Sequence, residues 1–290
     1  MKKIGFIDHY LHEWHADNMP KWISDATGGE MQVKYAWGET DHPDGGKTNK
    51  EWSEELGIPL CDTIEEVIER SDYLIVLAPD SPQRHVDLCK LPLTSGKRTF
   101  VDKTFTLSKA EAEYMIDLAQ KSNTPFFSAS ALRYATEYQE YPKEKIEYID
   151  SRGMGSIKNY VVHQIEPIVL MMNGCAKRVM ALVSDEHYED KDFLLGTGKP
   201  TFIYEYRDGR RAVMHLFSNE VNFSMTVQNK DGTAAEIKPE SDFFGESTKD
   251  LVNFFNTGEV TVPISQTMDT VAMIEAGIKA LKVPGTWVEV

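Results

Sequence analysis

At 290 residues the chain is longer than most single domains, so two cores in one chain are expected. Hydrophobic residues make up 41% and aromatics 10%, without low-complexity tracts, which excludes disorder as the main state. With 46 acidic against 31 basic side chains the formal charge is -15, which repels phosphate backbones and anionic membrane surfaces, so neither nucleic acid nor a membrane is an expected partner.

In chain order, Lys3 to Ile7 reads as a short buried strand, followed by helical spacing from Trp14 to Ile23 and a break at Gly28-Gly29. Met31 to Trp37 predicts a strand, Asn49 to Leu56 a short helix, and Thr63 to Arg70 an acidic amphipathic helix leading into the central strand Tyr73 to Leu77. A helix over Pro82 to Leu91, a strand at Thr99 to Val101, a helix from Ser108 to Ser122 and a strand at Pro125 to Ser128 continue the alternation; Ser108 with Glu111 carries a capping-box spacing. Repeated strand-helix units predict an α/β fold with a doubly wound parallel sheet over residues 1-130.

A second domain, 131-290, is expected beyond Arg133. Its first stretch, Glu137 to Asp150, is helix-prone, Arg152 to Gly155 reads as a turn, and Ser156 to Val162 as a strand. Lys177 to Ser184, Thr201 to Arg207, Arg210 to Ser218 and Asn222 to Gln228 follow as strands, two of them joined by a hairpin at Asp208-Gly209. Phe243 to Asn256 and Gln266 to Lys282 are helical by period, and Trp287 to Val290 is a closing strand. This half reads as α+β with a mostly antiparallel open sheet. Its alternating strands could bury one face against a partner.

Cys61, Cys89 and Cys175 have neither disulfide nor zinc spacing, and the N-terminus has no signal-type apolar run, so a cytoplasmic location is expected. His9, His12 and His15 fall three apart, with Asp8 adjacent; capping or packing of the first helix is the stronger reading, and no metal is assigned. The acidic run Asp185, Glu186, His187, Glu189, Asp190 and Asp192 reads as a solvated loop.

Several motifs together resemble the Gfo/Idh/MocA oxidoreductases, named for glucose-fructose oxidoreductase and inositol dehydrogenase. Ala78-Pro79 with His85 is similar to the family's cofactor-lining loop, Val101-Asp102-Lys103-Thr104 to its Glu-Lys-Pro motif, and Thr257-Gly258 through Val262-Pro263 to its C-terminal signature. The resemblance implies a Rossmann-like N-terminal half, NAD or NADP as cofactor, a sugar, cyclitol or related polyol as substrate, and a homodimer or tetramer as the assembly. It implies a cofactor site lined by Asp8, His9, Tyr10, Leu11, Trp37, Pro79, Asp80, His85, Asp102 and Lys103. Lys103 and His163 take the positions of the family's proton-handling residues, and Glu166 falls where relatives carry Asp or Glu. Asn159 stands where relatives often carry an aspartate.

The chemistry of the residues is compatible with those roles. Oxidising a secondary alcohol needs a group to take the hydroxyl proton while hydride leaves for a nicotinamide, and a histidine titrates close to neutral pH. Pro167, tolerated in a helix's first turn, is expected to put His163 just outside a helix, with Glu166 orienting its ring. A buried Lys103 could share the work.

One part of the pattern is broken. The three glycine positions of the dinucleotide loop read Asp8, Tyr10 and Glu13. A carboxylate about 4 Å from a phosphate costs about 4 kcal/mol at an effective dielectric near 20, roughly a thousandfold in affinity. The acidic residue that takes a ribose hydroxyl is also displaced, with Trp37-Gly38 at the strand end and Glu39 and Asp41 slightly late; no Arg or Lys lies close behind, which favours NAD over NADP. Two other classes therefore stand beside the dehydrogenase: a lyase, epimerase or metal-assisted hydrolase on the same scaffold, and a non-catalytic sensor or subunit.

Overall fold

The computed structural model describes residues 1–183, 199–217 and 221–290. The acidic run 185–192 lies outside the described residues. The chain divides into two compact units: Met1–Thr106, Ala110–Ala129 and Gly245–Pro263 form the first, and Leu107–Lys109, Ser130–Phe244 and Ile264–Val290 the second.

In the first unit, β1 (Lys2–Asp8) leads to α1 (Trp14–Ala26), β2 (Met31–Gly38), α2 (Asn49–Leu56), α3 (Ile64–Arg70) and β3 (Tyr73–Val76). α2 and α3 start where a side chain takes their free N–H groups: Thr48 and Glu51 form a capping box on α2, and Thr63 caps α3. The stretch expected as one helix over Pro82 to Leu91 is instead a 3-10 turn, Pro82–Arg84, a five-residue α4 (His85–Cys89) and a second 3-10 turn, Pro92–Thr94. The two prolines account for the interruptions, since neither supplies an N–H. β4 (Thr99–Val101), α5 (Lys109–Lys121) and β5 (Phe126–Ser128) complete the alternation. Glu111 accepts the Thr106 hydroxyl. The five strands pair in parallel in the order β2-β1-β3-β4-β5, and β3 is buried along its whole length. That is the expected doubly wound sheet, both faces covered.

The second unit departs from expectation at its start. Helix α6 (Thr136–Gln139) is one turn long, and β6 (Ile146–Met154) runs through residues expected as helix and turn. Its burial settles the conflict: Ile146, Ile149, Ser151 and Gly153 face inward while Glu147 and Arg152 face water, with a bulge opposite Gln228/Asn229 absorbing the irregular spacing. Charged residues on the outer face made a strand look like a helix. The expected strand at Ser156 to Val162 is a turn running into α7 (Val162–Met172). β7 (Arg178–Leu182), β8 (Thr201–Glu205), β9 (Arg211–Phe217), β10 (Ser224–Asn229) and β11 (Ala234–Ile237) follow. α8 (Phe243–Thr257), α9 (Ile264–Leu281) and β12 (Val288–Glu289) end the chain.

The second sheet has the order β11-β10-β6-β9-β8-β7-β12, antiparallel except for the β6-β9 pair. Inward side chains such as Val179, Phe202, Tyr204, Met214 and Val227 join α7 and α9 residues, including Ile165, Ile168, Met273 and Ile274, in one apolar core. Among the described residues no helix is long and apolar enough to cross a membrane.

Candidate active site

Winding of the first sheet reverses between β1 and β3, and the crevice at the carboxyl ends of those strands is where open α/β sheets take ligands. Asp8 ends β1 there and is 1% exposed. Its Oδ1 accepts from the Ala78 N–H, just past β3, at 2.9 Å and from its neighbour His9 N–H at 2.6 Å. Ala78 has φ 74°, a left-handed conformation that costs a non-glycine residue about 1 kcal/mol. A side-chain acceptor for its N–H helps to hold it there. Burial drives the Asp8 carboxyl well above the usual carboxylate range, against the pull of the His9 and Ala78 N–H groups, and Asp102 nearby adds to the rise.

Glu13 caps α1. Its carboxylate accepts from the His15 N–H at 2.7 Å and from the Ala16 N–H, the two donors at the head of a thirteen-residue helix. The side chain is buried, and burial followed by the charges of Asp8 and Asp102 raises its carboxyl well above the usual range. Asp102, just past β4, pairs with His15 at 2.6 Å between Oδ2 and Nδ1. Burial alone would raise Asp102, but His15 and then Lys103 bring it below its ordinary value.

The other residues expected around the cofactor are largely engaged within the unit. His9 pairs with Glu39 at 2.8 Å, and Glu39 is held in turn by Arg84 at 2.6 and 3.0 Å. The Tyr10 ring is buried 4.5 Å from His42, and burial with several nearby acids pushes its hydroxyl up to about 12. The Leu11 N–H donates to Asn49 Oδ1 at 2.9 Å. His85 is fully buried, its Nδ1 2.9 Å from the carbonyls of Thr104 and Phe105 and its Nε2 against the Leu77 carbonyl, so its ring pins the loops on either side. Trp37 lies on β2, Pro79 is buried and Asp80 exposed beside Ala78, and Lys103 is buried next to Asp102. His12 Nδ1 accepts the Lys47 N–H at 3.1 Å, so the three spaced histidines go to three different partners.

In the second unit, His163 sits inside the first turn of α7 rather than before it, because the helix begins at Val162 and carries Pro167 in its interior. Pro167 lacks the N–H that would bond the His163 carbonyl four residues earlier, so the helical ladder is interrupted at the candidate histidine. His163 Nδ1 lies 2.6 Å from Ser130 Oγ. Glu166 accepts the Ser130 N–H at 2.8 Å and faces buried Arg133 at 3.7 Å, and Arg133 reaches Gln266 at 2.5 Å. Glu166 therefore reaches the histidine through Ser130, a residue the sequence reading did not single out; a serine two residues past the last parallel strand carries no spacing signal of its own. The Asn159 N–H donates to Ser156 Oγ at 3.2 Å in the turn before the helix.

A dinucleotide in this fold sets its pyrophosphate on the N-terminus of the helix after β1. In this chain Glu13 already fills that seat, and Asp8 bridges the crevice below it. As folded, these residues do not fit a pyrophosphate.

A doubly wound parallel sheet, followed along the chain by a separate α+β unit with an open sheet, defines a two-unit α/β scaffold. Residues 43–130 match the family model GFO_IDH_MocA, described as an oxidoreductase family with an NAD-binding Rossmann fold. The match begins after the altered loop. No curated protein matches the chain. Myo-inositol 2-dehydrogenase from Lactobacillus plantarum is 15% identical, with a TM-score of 0.75 over 100% of this chain and 99% of its own. Scyllo-inositol dehydrogenase from Lactobacillus casei, solved with NAD(H) and scyllo-inositol, gives 15%, 0.75, 100% and 99%. An oxidoreductase from Thermotoga maritima gives 13% and 0.76 over 99% and 98%. At such identities the likeness establishes the fold.

Proposed function

We propose that this chain is an oxidoreductase acting on a hydroxyl-bearing carbon of a cyclitol, sugar or related polyol, with NAD favoured over NADP. The observation that carries this reading is that both units together, over 100% of the chain, have the fold of an inositol dehydrogenase solved with NAD(H) and scyllo-inositol. Such a reaction needs a proton acceptor and a hydride acceptor. This chain's own residues supply the first. His163, whose Nδ1 lies 2.6 Å from Ser130 Oγ, is the proposed acceptor of the hydroxyl proton, and Ser130 is itself fixed by Glu166. Lys103, buried beside Asp102, is the second proposed proton-handling residue. The proposal extends to a cytoplasmic homo-oligomer: cross-strand neighbours Met180, Ile203 and Val213 form a half-buried apolar row on the sheet face away from the helices.

Purified protein incubated with NAD and a panel of inositols and sugars should form NADH, and His163→Ala should lower that rate by about 10²-fold or more. Turnover unchanged in both His163→Ala and Lys103→Ala would remove these residues from the mechanism. The filled phosphate seat favours one second reading, a lyase or epimerase that uses His163 without a dinucleotide. Conversion of a polyol or sugar derivative with no dinucleotide present would select it.

A further inference from the structure

We propose that Glu13 is a built-in occupant of the pyrophosphate seat: its carboxylate takes the N-terminal N–H groups of α1, and an anionic ligand enters only by displacing it. Three observations on the first unit converge. Glu13 engages the His15 and Ala16 N–H groups at the head of the one helix that directly follows β1. A carboxylate here satisfies both the orphan donors and the helix dipole, which is what a phosphate does in this position. Secondly, Asp8 closes the floor of the same crevice by binding the Ala78 N–H across the β1/β3 switch point, and its Oδ2 is buried without a hydrogen-bond partner among the described residues. An entering phosphate thus meets a second carboxyl group behind the first. Thirdly, the match to the NAD-binding family model starts only at residue 43, beyond this loop.

The arrangement differs from simple loss of glycines. A loop that had only lost its glycines would leave the α1 donors to water; this one fills them with a side chain of its own. Around the seat, Asp8 from the end of β1 and Asp102 from the end of β4 are the acidic neighbours of Glu13, so the occupant is held among carboxyl groups rather than cations. The dinucleotide is the expected anion only on the oxidoreductase reading above; the seat itself is an argument from geometry.

The test is calorimetric titration of the full-length wild type, Glu13→Gly and Glu13→Gln with NADH and, separately, with inorganic pyrophosphate. Glycine is close to serine as a helix cap, so Glu13→Gly should fold; Glu13→Ser serves where it does not. Glutamine keeps an oxygen on the same donors and should leave the seat closed. The expected result is binding of pyrophosphate and NADH to Glu13→Gly that is about tenfold or more tighter than to wild type or Glu13→Gln. Tighter pyrophosphate binding with no NADH binding in any variant supports the seat and removes the dinucleotide reading. Wild type that binds NADH as tightly as Glu13→Gly overturns the seat and keeps the dinucleotide reading. Glu13→Gln behaving like Glu13→Gly, or no anion bound by any variant, also overturns the seat.

Discussion

At the residue scale, the unusual feature is a set of carboxyl groups buried where solvent or ligand would be expected. Asp8 and Glu13 both have burial as the leading cause of a raised carboxyl pKa. A carboxyl whose folded value lies above its unfolded value stabilises the fold in the acid range and loses that contribution as pH rises through the folded value. The loss therefore starts above the ordinary carboxylate range, near about 4, and grows toward alkaline pH. Glu13→Gln removes one such group and keeps an acceptor for the α1 donors. Its urea midpoint should gain on wild type between pH 5 and pH 8; a difference that stays constant across that span would show that Glu13 does not titrate as the geometry implies. The sequence announced that these positions were wrong for a phosphate, since Asp8, Tyr10 and Glu13 replace small residues. It could not announce that Glu13 turns inward to cap its own helix, because the same glutamate could equally have pointed to solvent. Nor could it reveal that His85 is held by three backbone carbonyls, a constraint that depends on loops about twenty residues apart.

At the element scale, α7 shows how a candidate site is supported. Glu166 and Arg133 are 4% and 3% exposed and form an ion pair out of water, with the Ser130 N–H donating to Glu166 and Arg133 donating to Gln266. Removing one member of such a pair leaves the other charge buried and unpaired. Glu166→Ala should therefore lower stability by about 3 kcal/mol, read as a shift in the denaturant midpoint, and a shift within experimental error would place the pair in contact with solvent. Ser130→Ala is the complementary change: it leaves that ion pair in place and removes the hydroxyl against His163 Nδ1, so it should displace the pH profile of kcat/KM while the denaturant midpoint stays close to wild type. An unmoved profile would deny Ser130 a positioning role. The parallel half of the fold was legible in the sequence because its strands are short apolar runs bounded by turn residues and its helices carry caps such as Thr48 with Glu51. The start of the second half was not. β6 carries Glu147, Asp150 and Arg152 on its outer positions, and a strand with one wet face next to a charged turn has the composition of a helix. α7 is nearly all buried, so it lacks the polar stripe by which an amphipathic helix is recognised.

At the scale of the whole molecule, the order of residues along the chain and their allocation to cores diverge. Residues Gly245–Pro263 return to the first unit after more than a hundred residues spent in the second. Local periodicity identifies α8 as a helix but says nothing about which core receives it. The structure does: Phe255 stacks on Tyr73 with ring centroids 4.8 Å apart, Phe254 meets Phe127 edge-on at 4.9 Å, and Arg98 Nη1 donates to the Phe255 carbonyl at 2.6 Å. Phe254 is 1% exposed, so it acts as a core residue of the parallel-sheet unit although six strands of the second sheet, β6 to β11, lie between it and that sheet in sequence. Fixing a contact of such long sequence separation carries a loop-closure cost that rises only slowly with length, so a few well-packed aromatic rings suffice to hold it. Phe254→Ala should then destabilise the protein by about 3–5 kcal/mol through the cavity it leaves. Hydrogen exchange locates the damage. If α8 belongs to the core of the first unit, protection should fall in β3, β4 and β5 as well as in α8, while β7, β8 and β9 keep theirs; a loss confined to α8 would mean that the helix rests on the sheet without contributing to its stability.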